Sequence, residues 1–509
     1  MQLFIWFCFF SIFSDDGSAE FSRLRGWRDV GEGDIKIFLA HLIAMGLVRK
    51  GCLEKYWNHG ETVKMPFFGT YMGRNTFQAI LSNLQVSDST LDLPRNNRNR
   101  DPLFKVRPML DMIDRTFVQS YKSGRDLSFD EGCCPYKGRV FFRCYNPKKP
   151  AKWHIKIFEV SDARTGYVIA FDVYAGKNKT RCALNADVLD PESTQTTRIV
   201  MGLMKKGLLL GRGHHVYMDN YYTSPDLFWE LHNKEVFSCG TCRKNRKNMP
   251  KAVTQAVLRN NKGECVFRRD GPLLALKWRE KKKDVVMLST IHEASFVETG
   301  KVDREGNKIE KPEAVYYYCS RMGGVDLSDQ LLNYFTFLRK STKWSRKLLI
   351  HLFNLVILNA YILNKHYGSR KGMSQDEYRD FLVKYLMREG LKCYKIPLPP
   401  VLSKKIGRNH RPEHNLARLN ERHFITNIPG AEGRKRKRPT RCCYVCSKLP
   451  GINCKPKRTS FWCEDCGKAL CITPCFKIYH TEIDYKLHAS NFRQEGTVVV
   501  EGNDGDDYL

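Results

Sequence analysis

Hydrophobic positions recur at helical spacing through residues 21–120, alternate after that, and return to helical spacing beyond residue 320. In DIKIFLAHLIAMGLVRKG, Ile35, Phe38, Leu39, Leu42 and Ile43 share one helical face, with Gly46 and Gly51 as stops. RNTFQAILSNLQVSD repeats the pattern with Phe77, Ile80, Leu81 and Leu84, and LFKVRPMLDMIDRTFVQSYKSG makes a third amphipathic helix. The period then drops to two. Leu127 and Phe129 alternate with polar neighbours in DLSFDE, which places Asp130 near the end of a short strand. GRVFFRCYN, KWHIKIFEVSD and TGYVIAFDVYAG continue as a meander between Pro, Lys and Gly turns. TQTTRIVMGLMKKGLLLGRG reads as a helix and HHVYMD as a strand ending in Asp219. NYYTSPDLFWELHNK opens another helix, capped by Ser224 or Thr223 with Pro225 in its first turn. Residues 236–318 are β-like but polar and interrupted, with Trp278 on one strand. The longest helical stretch, 322–367, starts at a Gly-Gly pair with Asp326 in its first turn. Its apolar run from Leu348 to Leu363 carries His351, Asn354 and Asn359, so it reads as a buried helix and not a membrane span.

Composition narrows the partner. The chain has 509 residues, room for several domains, and 85 Lys+Arg against 54 Asp+Glu give a formal charge of +31. Such an excess points to a polyanion, nucleic acid first, or else to a merely soluble basic protein. Of 19 cysteines, eight fall between Cys442 and Cys475, which suits a metal-binding module in a reduced compartment better than a disulfide framework. The opening MQLFIWFCFFSIF, about 13 residues, is too short for a bilayer and lacks signal-peptide features; it reads as a core helix or an imperfectly defined start. Arg434–Arg438 are five consecutive basic residues in a basic linker, a nuclear-import candidate or a phosphate patch, and they place the protein in the nucleus. The acidic tail EGNDGDDYL is assigned no role.

Single aspartates at strand ends are usually turn formers, and acidic residues in a helix's first turn are stabilising by about 0.3–1 kcal/mol with no site involved. Asp130, Asp219 and Asp326 nevertheless stand at a strand end within a meander, a strand end before a helix, and a helix start. That is the layout of a ribonuclease-H-like nuclease core, unless three structural aspartates share this order by coincidence. Asp329 shares a helical face with Asp326. In such a core, carboxylates hold two divalent ions about 3.5–4 Å apart, and hard oxygen ligands suit Mg²⁺ or Mn²⁺. Lys148, Lys149, Lys152 and Lys156 beside the meander, Arg243, Lys244, Arg246 and Lys247 on a basic loop, and Lys343 and Arg346 before the last helix are either solvated faces or phosphate contacts. Near the C-terminus, Cys443-x₂-Cys446 and Cys463-x₂-Cys466, followed by Cys471, Cys475 and His480, have zinc-ligand spacing. Two four-ligand zinc ions need eight donors and these are seven. The eighth is Cys442, Cys454 or His488, or only one zinc is fully coordinated. Phe461, Trp462, Phe476 and Tyr479 would form the module's small core.

The blocks LSFDEGCCPYKGRVFFRCYNPKKPAKWHIKIF, TGYVIAFDVYAGK, HHVYMDNYYTSPDLF, CGTCRKNRKNMPK and MGGVDLSDQL resemble, in order, those of the piggyBac family of DNA transposases. The resemblance runs from about residue 27 to the cysteine module at 443–480, and CxxC…CxxC…LCxxPCFxxYH is similar to that family's cysteine-rich end domain. It implies an α/β fold with a ribonuclease-H-like catalytic core and a β-rich insertion. A helical DNA-binding and dimerisation domain flanks the core, and a zinc-binding cysteine-rich domain follows. The implied boundaries are 1–120 (helical), 121–235 (core), 236–314 (insertion), 315–345 (core), 346–410 (helical), 411–440 (basic linker), 441–490 (cysteine-rich) and 491–509 (tail). It implies catalytic Asp130, Asp219 and Asp326, with Asp329 assisting, acting with Mg²⁺ or Mn²⁺. It also implies cutting and joining of double-stranded DNA at TTAA sites by a homodimer whose cysteine-rich domain reads the terminal repeat. The alternative is a domesticated DNA-binding descendant without catalysis.

Overall fold

The structure is a computed structural model describing residues 30–394, apart from 59, 61–64, 95, 177–178, 187, 189–191, 259–262, 281–282, 303–305 and 369–371, together with 423–429, 439–446 and 457–482. The residues divide into two units, 1–404 and 405–509. The opening apolar string, the Arg434–Arg438 run, Cys454, His488 and the acidic tail lie outside the described residues.

The larger unit is a mixed α/β structure built on one nine-stranded sheet. Its central strand β1 (Asp126–Pro135) pairs antiparallel with β3 (Trp153–Asp162), which carries β2 (Arg143–Tyr145) and β4 (Val168–Val173) on its far edge. On its other side β1 runs parallel to β5 (His215–Met218), and β5 parallel to β6 (Phe237–Thr241). A parallel pair needs a crossover, and the helices α4 (Gln195–Lys206) and α5 (Pro225–Asn233) supply the connections before and after β5. The β-rich insertion expected over 236–314 does not make a sheet of its own. Its strands β7 (Cys265–Asp270), β8 (Leu273–Arg279) and β9 (Asp284–Ser289) extend the main sheet through an antiparallel β6–β9 pair, and only the hairpin of β10 (Phe296–Val302) and β11 (Lys308–Pro312) stands apart. Trp278 of β8 faces Val285 of β9 and joins a buried cluster with Leu274, Met287 and Val315.

Helices pack from both ends of the chain. α1 (Glu32–Leu47) starts where the Asp34 carboxylate accepts the Gly31 amide, and it is buried nearly all round, as a core helix should be. It lies against α9 (Gln375–Cys393), which opens with a capping box between Ser374 and Glu377. The two backbones meet at glycines: a methyl group on Gly33 would lie 2.8 Å from the Gly390 carbonyl, and one on Gly390 2.9 Å from that of Gly33. Gly46 is not a helix stop. It sits inside α1 because a side chain there would strike the Phe335 carbonyl at 2.5 Å. The other expected helices are α2 (Arg74–Asn83) and α3 (Arg107–Ser120), and α6 (Glu313–Arg321) follows β11.

The single long helix expected at 322–367 is two helices, α7 (Gly324–Tyr334) and α8 (Trp344–Tyr367), separated by nonhelical residues. Among the described residues α8 is long and apolar enough to cross a membrane, yet most of its apolar stretch is buried inside the protein. Its polar residues explain this. Asn359 exchanges two hydrogen bonds with the Val168 backbone, at 2.8 and 3.1 Å, and Asn354 donates to the Leu332 carbonyl.

In the smaller unit, Ile425–Asn427, Phe461–Cys463 and Lys468–Ala469 form a three-stranded sheet. Its core is Cys443, Val445, Cys463, Leu470, Cys475, Ile478 and Tyr479, with Phe476 against it. Phe461 and Trp462, expected in that core, are only half-buried, because the buried position of this short strand goes to Cys463.

Candidate active site and metal centres

The register of the sheet brings the first two aspartates together. Asp130 is not at the end of a short strand; β1 continues to Pro135 along β3. Its parallel pairing with β5, however, stops at Phe129 opposite Met218. Asp130 and Asp219 are therefore the next residues beyond the last paired rung of two adjacent parallel strands, at their carboxyl ends, where open α/β sheets form sites. The loop after β5 is pinned in place. The Asp219 carboxylate accepts the Tyr221 amide at 2.8 Å, and its carbonyl accepts the Thr223 hydroxyl at 2.8 Å. Ser224, not Thr223, caps α5. Tyr222 packs edge-on against Phe129, and its hydroxyl donates to Glu131 at 2.8 Å. Glu131 also pairs with Lys156 at 3.0 Å, so it is held among its neighbours in the sheet.

Helix α7 delivers Asp326 and Asp329. Gly324 lets it approach β1 closely, since a methyl group there would lie 2.9 Å from Cβ of Ser128 and 3.0 Å from the Asp162 carbonyl. The Ser128 hydroxyl donates to the Met322 carbonyl and fixes the helix start. Asp326 is exposed in the first turn, and Asp329 is half-buried one turn on.

The electrostatics mark one acidic cluster. Burial pushes the Asp130 carboxyl up to about 7, with Glu131 and Asp219 adding to the rise. Burial and Glu131 raise Asp219, and burial raises Asp329 to about 6, with Asp326 contributing. Glu159, opposite Asp130 on β3, is raised well above the carboxylate range by burial, Asp329 and Asp130. Like charges this close favour protons or cations. The donors are all hard carboxylate oxygens, which fit Mg²⁺ or Mn²⁺.

The expected basic residues divide by position. Lys149 reaches into the cluster: its ammonium donates to the Glu131 carbonyl at 3.3 Å. Burial works against its charge, but Cys133, Asp130, Asp329 and Glu131 outweigh that and raise its pKa. Lys148 and Lys152 are exposed beside it. Arg243 donates to the Asn220 side chain at 3.2 Å and Arg246 to the Asn220 carbonyl at 3.0 Å, so this basic loop borders Asp219. Lys244 pairs with Asp284 at 3.6 Å. Lys343 and Arg346 both bind the Ser82 carbonyl, at 3.1 and 2.9 Å, and hold the end of α2.

The smaller unit gathers two sets of four donors. Cys443, Cys446, Cys471 and Cys475 form one, and His423, Cys463, Cys466 and His480 the other, each with donor atoms within 4.8 Å of one another. Sulfur–sulfur distances of 3.6 and 4.0 Å from Cys446 to Cys475 and Cys471, and 3.5 Å between Cys466 and His480, suit tetrahedral thiolate and imidazole coordination. Among the described residues the eighth donor is His423; of the three candidates expected from spacing, Cys454 and His488 lie outside the described residues. Cys442 is exposed on a short strand and belongs to neither set. His423 lies in the expected linker and carried no spacing signal. The pairing of Ile425 with Cys463 brings it in, leaving its Nδ1 3.5 Å from the Cys463 sulfur. Glu159 was legible only as an acidic outlier in the apolar run IKIFEV.

The chain is similar to known proteins in sequence and in fold. The sequence profile of the family described as Transposase IS4 matches residues 17–361. Human PiggyBac transposable element-derived protein 3 is 25% identical over 474 residues, covering 88% of this chain and 70% of that protein. Human PiggyBac transposable element-derived protein 2 is 21% identical over 378 residues, covering 70% and 61%. The fold is similar to that of the piggyBac transposase in a synaptic complex with hairpin DNA, with a TM-score of 0.64, 23% identity, and coverage of 90% of this chain and 91% of that one. The chain belongs to the piggyBac transposase family.

Proposed function

We propose that the chain is a cut-and-paste DNA transposase, cleaving and joining DNA strands at TTAA sites with Asp130, Asp219 and Asp326, and with Asp329 assisting. The observation that carries this reading is the β1–β5 register, which leaves Asp130 and Asp219 side by side beyond the paired strands, while α7, which carries Asp326 and Asp329, packs against β1 at Gly324. The strand order β4-β3-β1-β5-β6, with β1, β5 and β6 parallel and β3 antiparallel, supports a ribonuclease-H-like core. Mg²⁺ or Mn²⁺ held by these carboxylates would supply an activated attacking oxygen and a neutralised leaving one. The chain's own part is to position the phosphate. Arg243 and Arg246 stand beside Asp219 for the backbone, with Lys148 and Lys152 exposed near Lys149. The two four-donor sets hold zinc and build a module that reads the terminal repeat. A homodimer in the nucleus, acting on double-stranded transposon ends, completes the reading. Sedimentation would test the dimer, and imaging after replacement of Arg434–Arg438 would test the localisation.

An excision assay with the element's own ends tests the activity. The parent should cut and rejoin, and Asp130→Ala, Asp219→Ala and Asp326→Ala should each be inert; cutting by any of them would refute the assignment. A second reading, a descendant that binds DNA without cutting it, is favoured by the names of the human relatives, which are described as transposable element-derived. An inert parent that still retains the terminal-repeat duplex in a binding assay would select it.

A further inference from the structure

Glu159 has no role in the aspartate reading, yet it is the strangest carboxylate in the sheet. Its neighbours on β3, Ile157, Phe158 and Val160, are buried core, and Glu159 itself is 1% exposed. Its Oε2 is fully buried with no hydrogen-bond partner. An unpaired carboxylate in that position is strongly unfavourable unless something supplies positive charge. Register puts Glu159 directly opposite Asp130, so the two side chains leave the same face of the sheet. The carboxylate lies over Gly132: a methyl group there would be 2.1 Å from Oε1, so only glycine leaves space for it. Asp329 and Asp130 are the charges it feels most, and Lys149 is the cation nearest in effect. Glu131, by contrast, already has Lys156 and Tyr222.

We propose that Glu159 is a further ligand of the divalent-cation site, offering its unpartnered Oε2 beside Asp130 from the neighbouring strand. The inference rests on reading the acidic cluster as a cation site. Charge supports it: Asp130, Asp219, Asp326, Asp329 and Glu159 carry five negative charges when ionised, and two divalent ions with Lys149 carry five positive ones.

Mn²⁺ titration of the full chain, followed by the paramagnetic resonance of free Mn²⁺, tests this without any cutting. Glu159→Gln should weaken Mn²⁺ binding by about tenfold or more. Metal-free thermal melting should stay near that of the parent, because burial already holds Glu159 neutral without a cation and glutamine keeps that shape. Gly132→Ala, which keeps the charge but fills its space, should weaken binding too, and it decides the matter if Glu159→Gln does not fold. Asp130→Asn is the control. Lost binding in Asp130→Asn with parental affinity in Glu159→Gln would overturn the role of Glu159 and leave the cation site standing. Parental affinity in Asp130→Asn as well would overturn both.

Discussion

The smaller unit and the larger one each crowd groups that repel when ionised, but they close the gap to different degrees. In the smaller unit eight donors form two compact sets, and among the described residues these are the groups of His, Cys, Asp or Glu whose donor atoms all lie within 4.8 Å. In the larger unit the carboxylates come from β1, β3, the loop after β5 and the first turns of α7, and they influence one another without converging so tightly. A structural metal site is closed by the protein, whereas a catalytic one keeps positions for substrate oxygens. On the proposed function, the difference separates a site that builds a module from one arranged around a phosphate.

The comparison can be broken most forcefully by removing metal. Structural zinc is worth on the order of 10 kcal/mol in small modules. A strong chelator should therefore unfold residues 423–482 while the α/β unit keeps its cooperative melt; hydrogen exchange resolved along the chain would show protection lost in one unit alone. Equal loss in both would erase the distinction. Metal counting by mass then sharpens it: two zinc ions per chain in the parent and one in His423→Ala.

Next in size is the effect on chemistry. Asp219→Asn should slow strand cleavage by at least roughly a hundredfold while leaving the melting temperature unchanged or raised, since it relieves repulsion. A lowered melting temperature would mean that Asp219 is structural.

The pH response is smaller. Asp130 and Asp329 are held at about 7 and about 6, above the value near 3.9 of an unfolded aspartate. The native state then binds more protons between those values, so metal-free stability falls as pH rises from about 4 to about 7. Cations favour the ionised form, so the Mn²⁺-induced rise in melting temperature should be larger near pH 8 than near pH 5. An equal rise would show that Mn²⁺ binds elsewhere. The smallest effect is expected of Cys442→Ser, which should retain two zinc ions and shift stability by no more than about 0.5 kcal/mol.

Much of this was legible in the sequence because periodicity reports burial. The first helices and the strands before Asp130 and Asp219 follow from alternation and helical spacing, but the meander order does not: β1 pairs with β3, and β2 is a three-residue strand on the far edge of β3. What periodicity misses is pairing between distant segments. That Asp130 lies in mid-strand, yet at the end of its parallel pairing, is set by β5, some ninety residues on, which stops at Met218. His423 becomes a donor only through the strand it forms with Phe461–Cys463. Gly46 looks like a stop because glycine usually is one, but here it admits the Phe335 carbonyl. Lys149 reads as a surface cation until the fold turns it toward the carboxylates.

The most direct test of the central claim replaces the divalent ion with Fe²⁺ and lets ascorbate and peroxide cut the polypeptide where the ion sits. The account predicts backbone breaks clustered near residues 130, 219 and 326–329, suppressed by excess Mg²⁺ and absent in Asp130→Asn. Breaks confined to other segments, or unaffected by that substitution, would contradict it.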